Sequence, residues 1–326
     1  MHALQAVLFA DVLGTATWLW LTFFLLVFAL LAFDLGVLHR DHREIGIGAS
    51  LWLSAGYISV GLCFGAWVWY QMGATSALEY YTGFLIEKSL SMDNVFIMAM
   101  IFGFFGIPRR YQHDVLFWGI LGVIVLRALM IGLGAALIHH FEWVLHAFGV
   151  FLLATGVKML FSPLDDSPGL LARNPLVLLL RRRMRVTEQL HEHHFFVQLP
   201  DAAGHLRRHA TPLLLALVLI ELADLLFAVD SIPAIFAITQ DPFIVYTSNI
   251  FAVLGLRALY FALAAMIHRF VYLKYALALV LVFIGAKIFV AGMFGKIPAP
   301  VSLAVTFTLL AGGVLFSLYK TRPRRD

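Results

Sequence analysis

Glu87-Lys-Ser-Leu-Ser-Met-Asp93-Asn94 and Asp224-Leu-Leu-Phe-Ala-Val-Asp230-Ser231 are the two stretches of sequence that decide the fold of this chain. Each stretch places two acids six residues apart and lies in a segment that is otherwise apolar enough to cross a bilayer. A charged side chain near the bilayer centre costs about 2.5–3.5 kcal/mol even on the mildest scale, so ionisable residues there indicate function. Two matched pairs of acids predict one site built from two halves of the chain.

The composition of the chain is that of a polytopic membrane protein. Of its 326 residues, 62% are hydrophobic and 13% are charged, whereas a soluble domain carries roughly 25% charged residues. Cys63 is the single cysteine, which excludes an internal disulfide and a cluster of thiolate ligands. The N-terminus has no basic stretch before its first apolar run, so we expect no cleaved signal peptide.

Apolar runs of about 20 residues, the length that crosses a bilayer, recur along the whole chain. They predict an all-α fold, namely a polytopic membrane protein with about nine transmembrane helices. The predicted spans are residues 12–37, 49–70, 77–105, 115–138, 144–161, 211–238, 243–267, 272–294 and 299–319.

Basic residues are distributed unequally between the loops that join these spans. Arginine and lysine collect in alternate loops and in the C-terminal tail, whereas the other loops hold Lys296 alone. Because cytoplasmic loops carry the excess of basic residues, we predict an N-terminus outside the cytoplasm and a cytoplasmic C-terminus. The same sorting explains the basic balance of the chain without a nucleic-acid partner.

Residues 162–210 form the one sizeable polar segment, which this orientation makes cytoplasmic. Residues 176–186 are a basic amphipathic run that suits anionic lipid headgroups, and residues 195–211 suggest a small hairpin. His191-Glu-His-His194 contains residue types that bind metals, and a metal site there stays an alternative. A solvated polar loop is the interpretation that we favour.

Two parts of the chain carry the same features in the same order. Ile120-Leu-Gly-Val-Ile-Val-Leu-Arg127-Ala-Leu matches Ile250-Phe-Ala-Val-Leu-Gly-Leu-Arg257-Ala-Leu, and the order acid, acid, arginine, lysine occurs in both parts. The matching units are residues 77–161 and 211–294, each with three predicted spans. Because three is odd, the second unit must lie inverted in the membrane, an architecture that recurs in transporters.

The remaining segments complete the domain organisation. Residues 1–72 hold two N-terminal spans, residues 162–210 join the two repeats, and residues 299–326 hold the last span and a basic tail. Asp34 lies near the inner end of the first span. It either lines a cytoplasmic mouth or is a solvated interfacial residue.

The two acids of each stretch do not share a helix face, because six residues turn an α-helix by about 600°. Either the two acids serve different partners or the helix is interrupted between them. Pro233, shortly after Asp230, favours a disturbed helix in the second stretch. Glu221 and Asp224 are three residues apart and do share a face.

Carboxylate, amide and hydroxyl oxygens dominate both stretches, and such hard ligands suit Mg²⁺, Ca²⁺ or Mn²⁺. A thioether from Met92 would favour Mn²⁺, although helix packing explains this methionine as well. We expect Arg127 and Arg257 each to pair with one acid and hold it ionised, and purely structural ion pairing is the alternative to a site. Lys158 and Lys287 lie toward span ends, where they can snorkel. The predicted metal-binding residues are Asp93, Asp230, Glu87, Asp224, Asn94, Glu221 and Ser231.

These motifs are similar to those of the TerC family of integral membrane proteins, in particular of its Alx branch, over nearly the whole chain. The resemblance implies a bacterial inner-membrane protein linked to manganese export and to tellurium resistance. It also implies that Glu87, Asp93, Asp224 and Asp230 contribute to the handling of cations. The matching segments are Glu87-Lys-Ser-Leu-Ser-Met-Asp-Asn-Val-Phe96, Glu221-Leu-Ala-Asp-Leu-Leu-Phe-Ala-Val-Asp-Ser-Ile-Pro-Ala234, Pro242-Phe243, Thr247-Ser-Asn249 and Leu254-Gly-Leu-Arg-Ala-Leu-Tyr260.

The leading hypothesis is a secondary transporter that exports divalent cations, with Mn²⁺ as the best candidate and protons as the exchanged ion. Asp93 and Asp230 would be the primary ligands, and Mn²⁺ would be the transported substrate rather than a cofactor. The alternative is a membrane scaffold that supports metal or tellurite resistance or the metalation of exported proteins. No hydrolase, zinc-protease or nucleotide-binding motif is present, so we expect neither an enzyme nor an ATP-driven pump. The expected partners are the divalent cation, protons and the lipid bilayer, with no cofactor.

Overall fold

The computed structural model describes residues 9–38, 47–141, 143–161, 179, 183–184, 186–187, 189–200, 205–263, 272–294 and 297–321. Within the helices, the side chains of Met92, Asp93, Phe96 and Arg257 are among those outside this description. The predictions for most of the basic run at 176–186, for Lys296 and for the end of the C-terminal tail also lie outside the described residues.

The described chain is mostly helical, as its long apolar runs predict. The helices are α1 Thr17–Leu38, α2 Ile47–Met72, α3 Ala74–Phe104, α4 Arg109–His140, α5 Trp143–Phe161, α6 Pro212–Phe236, α7 Pro242–Val253, α8 Leu256–Leu263, α9 Leu273–Phe294 and α10 Ala299–Lys320.

Eight segments of the described residues are long and apolar enough to cross a membrane. One of them, Pro242–Ala262, combines α7 with most of α8, and the others correspond to single helices. The predicted span at residues 77–105 falls on α3, a 31-residue helix that carries Glu87 and Lys88 and is not one of the eight. The chain is therefore a polytopic membrane protein with eight candidate spans in its described part.

Proline, glycine and aspartate fix several helix ends. Gly106 has a φ of +60°, which ends the turn after α3, and Pro108 precedes the first residue of α4. Asp241 is the N-cap of α7, and its side chain accepts a hydrogen bond of 2.9 Å from the Phe243 N–H.

The span predicted at residues 243–267 is not one continuous helix. Leu254 is extended, with a ψ of 134°, and Gly255 has a φ of +80°, so α7 and α8 are separate. Glycine takes this φ readily, and a Cβ atom on Gly255 would lie 2.6 Å from the Cβ of Tyr57. Helices α3 and α6 run unbroken through both acid stretches, even across Pro233. The interruption considered between the two acids of each stretch is therefore absent, and the chain breaks at Leu254 and Gly255 instead.

Helices from the two predicted repeat units pack across one another. Helix α4 packs on α6, α7 packs on α3, and α5 packs against α9 more extensively than any other pair does. A Cβ on Gly285 of α9 would lie 2.9 Å from the carbonyl oxygen of Gly149, and a Cβ on Gly156 would lie 2.8 Å from that of Ala278. The backbones of α5 and α9 therefore touch, as is typical of small residues between membrane helices.

Helix α1 packs on this body through aromatic side chains. The ring of Phe23 lies 6.0 Å from that of Phe64 on α2 and 5.6 Å from that of Phe251 on α7, centroid to centroid. Edge-to-face contacts of this kind add to the area that aromatic side chains bury. These contacts hold α1 against α2 and α7.

In the described part of the chain, two short antiparallel hairpins accompany the helices. β1, Asp11–Val12, pairs with β2, Thr15–Ala16, directly before α1. β3, Phe196–Pro200, pairs with β4, Leu206–Ala210, directly before α6. The second pair confirms the hairpin that we expected at residues 195–211.

Candidate functional site

One arginine lies at the centre of the described helices, out of reach of solvent. Arg127 of α4 is 1% exposed and is the largest fully buried side chain among the residues described. Its Nε and Nη2 atoms donate to the two carboxylate oxygens of Asp224 on α6, at 3.2 and 2.8 Å. Its Nη1 donates to Glu87 on α3 and, at 2.6 Å, to the Oδ1 of Asn249 on α7. One guanidinium fork thus binds acids from both predicted repeat units.

Two amides complete the contacts of these acids. The Nδ2 of Asn249 donates to the Oε2 of Glu87 at 3.0 Å, and the Nδ2 of Asn94 donates to the Oδ1 of Asp224 at 3.0 Å. The Ser91 hydroxyl lies 3.4 Å from the Oε1 of Glu87. The Oδ1 of Asn94 is buried and has no hydrogen-bond partner among the described residues. We call Glu87, Asn94, Arg127, Asp224 and Asn249 the Arg127 cluster.

The Arg127 cluster holds more negative than positive charge. Glu87 and Asp224 are 1% and 2% exposed, and both form salt bridges with Arg127. With both acids ionised, two carboxylates and one guanidinium sum to one net negative charge. A buried charge without a counter-ion costs several kcal/mol. This arrangement is suited to taking up a proton or a cation.

Glu221 adds a third carboxylate beside the cluster, one turn before Asp224 on the same face of α6. It is close enough to Asp224 and Arg127 to interact with both electrostatically. Both carboxylate oxygens of Glu221 are buried and lack a hydrogen-bond partner among the described residues. The carboxyl group fills a notch in α4, because a Cβ atom on Gly122 would lie 2.5 Å from it.

The second acid of α6 has a different partner. The Thr155 hydroxyl of α5 lies close enough to the carboxylate of Asp230 to interact with it electrostatically. Ser231 is 1% exposed, and its hydroxyl has no partner in the part of the chain that the structure describes. Asp224 and Asp230 therefore serve different partners, which is one of the two alternatives that their spacing left open. The side chain of Asp93, the residue that matches Asp230, lies outside the described residues.

The structure brings part of the predicted metal site together. Glu87, Asp224 and Asn94 meet, with Glu221 beside them, whereas Asp230 and Ser231 take no part in their hydrogen bonds. Their oxygens are of the type that hard cations bind. Among the described side chains, however, no group of three or more His, Cys, Asp or Glu residues is placed to hold a metal ion.

The basic partner of the acids also differs from the expectation. We expected Arg127 to pair with one acid, and it pairs with two, Glu87 and Asp224. The planar guanidinium has five N–H donors in a fixed fork, which is enough for two carboxylates and one amide. The side chain of Arg257, expected to pair with an acid of its own, lies outside the described residues.

Asn249 and Lys88 were not among the site residues predicted from sequence. Asn249 bridges Arg127 and Glu87, and at the level of sequence it stood only within Thr247-Ser-Asn249, one of the segments that carry the family resemblance. Lys88 donates from Nζ to the carbonyl oxygen of Ala252 at 3.0 Å. This carbonyl lies in the last turn of α7, where the helix dipole favours a cation.

Two other charged residues lie deeper than we expected. Lys287 is 8% exposed and donates to the Ser302 hydroxyl of α10 at 3.3 Å, so it does not snorkel. Asp34 is 5% exposed, which excludes a solvated interfacial position.

The histidines at residues 191–194 contact protein groups. The His193 ring binds the carboxylate of Asp114 on α4 and packs edge-on against Tyr111 at 4.7 Å. The Nδ1 of His191 lies 3.0 Å from the Gln189 carbonyl oxygen. These contacts dock a partly exposed loop on the start of α4 and favour the polar-loop interpretation over a metal site.

A cavity of about 500 Å³ opens where α4 and α6 end. Its polar lining consists of His139, His140 and Gln240. Leu13 and Gly14 of the first hairpin close one side. The rest of the lining is apolar.

Comparison with known proteins connects most of the chain to one family. The family model described as "Integral membrane protein TerC family" matches residues 72–325. An uncharacterised membrane protein of Rickettsia bellii is 48% identical over 301 residues, which are 92% of this chain and 97% of the relative. An uncharacterised membrane protein of Myxococcus xanthus is 47% identical over 305 residues, 93% of each chain.

The Alx protein of Escherichia coli K12 is similar to the same degree. It is 47% identical over 302 residues, 90% of this chain and 91% of Alx, and carries the provisional name of a membrane-bound redox modulator. No solved structure matches the chain.

Proposed function

Since this chain belongs to the TerC family of integral membrane proteins, we propose that it is a secondary transporter that exports divalent cations, with Mn²⁺ as the first candidate. The observation that carries the proposal is the Arg127 cluster, where Glu87 and Asp224 share one guanidinium and retain an excess of negative charge. Ionisable groups held inside a membrane protein typically mark an ion or proton pathway. Carboxylate and amide oxygens are ligands that suit Mn²⁺.

The proposed site lies between two inverted repeats, residues 77–161 and 211–294. In this proposal α3, α4 and α5 correspond to α6, the α7–α8 pair and α9. The cross-packing of α4 on α6 and of α7 on α3, together with the α5–α9 contact, supports this correspondence. A site between such halves is accessible from either side of the membrane in turn.

The proposed orientation in the bacterial inner membrane gives the pathway a direction. With a cytoplasmic C-terminus, the ends of α4 and α6 face outward, and so does the cavity beside His139 and His140. A cation released from the cluster would leave through this cavity. The ninth span would be α3, which supplies Glu87 and Asn94 to the cluster.

Proton exchange is part of the proposal. A carboxylate that binds a divalent cation must give up any proton that it holds, so loading Mn²⁺ displaces protons. Asp93, Asp230 and Glu221 complete the proposed set of ligands and proton carriers. Of these, Glu221 has two buried oxygens without a hydrogen-bond partner among the described residues.

Mn²⁺ flux into proteoliposomes that contain the purified chain tests the function. We expect saturable flux that falls at least tenfold in Asp93→Asn and in Asp230→Asn. Asp241→Asn, which changes an acid at the N-cap of α7, is the matched control and should keep its flux. No flux from folded, reconstituted wild type would refute the transporter, and flux that ignores an imposed pH gradient would refute the exchange.

A membrane scaffold remains the second candidate. The hairpin of β3 and β4 exposes Leu206, Arg207 and Arg208, where a partner could dock. In cells, Arg207→Glu with Arg208→Glu should then abolish metal resistance, and Asp93→Asn should preserve it. The opposite pair of results would favour the transporter.

The provisional name of Alx points to redox chemistry in that relative. In this chain Cys63 is the single cysteine, and it is exposed on α2. One thiol cannot form an internal disulfide. A redox role would therefore have to use groups other than a cysteine pair within the chain.

A further inference from the structure

The Arg127 cluster leaves none of its carboxylate oxygens without a donor. Asp224 accepts from Arg127 with both oxygens and also from Asn94. Glu87 accepts from Arg127 and Ser91 with one oxygen and from Asn249 with the other. A divalent cation that needs several oxygen ligands at 2.0–2.6 Å, about the range for hard cations, cannot enter while the guanidinium lies between the two acids.

We infer that the Arg127 guanidinium is a tethered counter-ion that occupies the cation site, and that an incoming divalent cation has to displace it. This inference rests on the proposed function, because it assigns the occupant of the same site. A guanidinium and a metal ion repel each other and compete for the same carboxylates. The arginine therefore sets how tightly the metal is held and how readily it leaves.

The described side chains also offer a place where the exchange can begin. The Oδ1 of Asn94 and both carboxylate oxygens of Glu221 are buried and unpartnered among the residues described, and both residues adjoin Asp224. A cation that enters beside Asp224 finds these acceptors first. Asp224 then exchanges the guanidinium for the metal.

The other half of the cluster keeps Arg127 paired during this exchange. When Arg127 releases Asp224, Nη1 still donates to Glu87 and to Asn249. The arginine thus keeps one carboxylate and one amide while the metal takes the other carboxylate. When the metal departs, the guanidinium returns to Asp224, which favours release.

The test is Mn²⁺ binding to the full chain in detergent, measured by calorimetry and by the electron paramagnetic resonance of free Mn²⁺. We expect Arg127→Gln to bind Mn²⁺ at least tenfold more tightly than wild type, because no cation competes for the acids. Arg127→Lys should bind with intermediate affinity, because an ammonium keeps the charge but cannot bridge both carboxylates. Lys287→Gln removes a buried charge that bonds to Ser302 instead, and should leave the affinity unchanged.

Flux distinguishes a competitor from a residue that merely supports the fold. The tighter binding of Arg127→Gln should be accompanied by Mn²⁺ flux at least fivefold slower than in wild type, because release lacks the returning guanidinium. A damaged fold would instead lower both affinity and flux. If Arg127→Gln does not fold, Arg127→Lys decides alone: tighter binding than wild type supports the inference.

Two results overturn the inference, and they differ from each other. In the first, the wild-type protein transports Mn²⁺, but both Arg127 variants bind Mn²⁺ no more tightly than wild type. The arginine then only organises the acids, and the transporter proposal survives. Absence of Mn²⁺ binding and of flux in wild type and in both folded variants removes the proposed function together with this inference.

Discussion

Two similar segments of ten residues, each ending in Arg-Ala-Leu, lie in α4 and across α7 and α8, yet the two segments differ in structure. The copy in α4 is part of an unbroken 32-residue helix. The other copy is interrupted at Leu254 and Gly255, just before its arginine. The difference between the two shows how little sequence change is needed to turn a continuous membrane helix into a broken one.

The position of one glycine distinguishes the copies. In α4 the glycine is Gly122, whose missing side chain makes room for the Glu221 carboxyl group. The matching residue of the second copy is Ala252, whose carbonyl accepts from Lys88. Its glycine is Gly255, opposite Val125 of the first copy, and it takes a φ of +80°. One copy uses glycine to admit an acid, and the other uses it to end a helix.

The largest effect should come from the arginine of the unbroken copy. Arg127→Met leaves Glu87 and Asp224 buried without their counter-ion, which should lower the free energy of unfolding by about 3–5 kcal/mol. Lys287→Met is the control, because this buried cation hydrogen-bonds Ser302 and interacts with Glu79 rather than with the cluster, and its loss should cost about 1 kcal/mol. Unfolding in mixed detergent micelles measures both, and equal losses would contradict the special role of Arg127.

The helix break should be the next most sensitive place. Gly255→Ala puts a side chain at positive φ and against Tyr57, which should cost about 1–3 kcal/mol. The matching change, Val125→Ala, alters a side chain that is 59% exposed and should cost less than about 1 kcal/mol. If the two variants are equally stable in the same unfolding assay, position 255 tolerates a side chain and does not require glycine.

The stability cost of filling the notch at Gly122 should depend on the presence of Glu221. Gly122→Ala forces the Glu221 carboxyl group to move and should cost about 1–2 kcal/mol. In a Glu221→Ala background the same change should cost nothing measurable, because the notch is then empty. A double-mutant cycle measures this coupling, and additive losses would show that the glycine has another role.

The smallest effect should come from the cap of α7. Burial raises the pKa of the Asp241 carboxyl group, although the Phe243 and Ile244 N–H groups oppose this shift by donating to it. The folded state thus holds this proton more tightly than the unfolded state, so the contribution of Asp241 falls as pH rises above about 4. The stability of wild type relative to Asp241→Asn, which keeps a capping oxygen, should therefore decrease from pH 4 toward neutral pH.

That decrease would appear in thermal unfolding of the two proteins over a series of buffers. If the stability of wild type relative to Asp241→Asn instead increases with pH, the ionised carboxylate is the better cap of α7 and the prediction is wrong.

Composition and hydropathy predict most of the fold. Long apolar runs predict the helices, and turn residues between residues 195 and 211 predict the hairpin of β3 and β4. The break at Gly255 could not be predicted, because a single glycine in an apolar run is common in membrane helices. The lack of room for a side chain at this position comes from Tyr57, which only the packing of α2 brings close.

The candidate site was predictable in its residue types but not in its connections. The cost of charge in a membrane singled out Glu87, Asp224 and Arg127 from sequence. That one guanidinium serves both acids depends on the meeting of α3, α4, α6 and α7, which no local pattern encodes. Asn249 was left out of the predicted site residues for the same reason, since an amide becomes informative only when its neighbours are known. Pro233 favoured an interruption, but it lies in the last turn of α6, where little helix remains to be disturbed.

The contact between α5 and α9 restricts how these two helices can move against each other. At Gly149, Gly156 and Gly285 the two backbones touch without a layer of side chains between them. Sliding of one helix along the other would drive carbonyl groups into each other, whereas rotation about the contact would not. If the two predicted repeat units move relative to each other, we therefore expect them to rotate about the α5–α9 contact rather than slide along it.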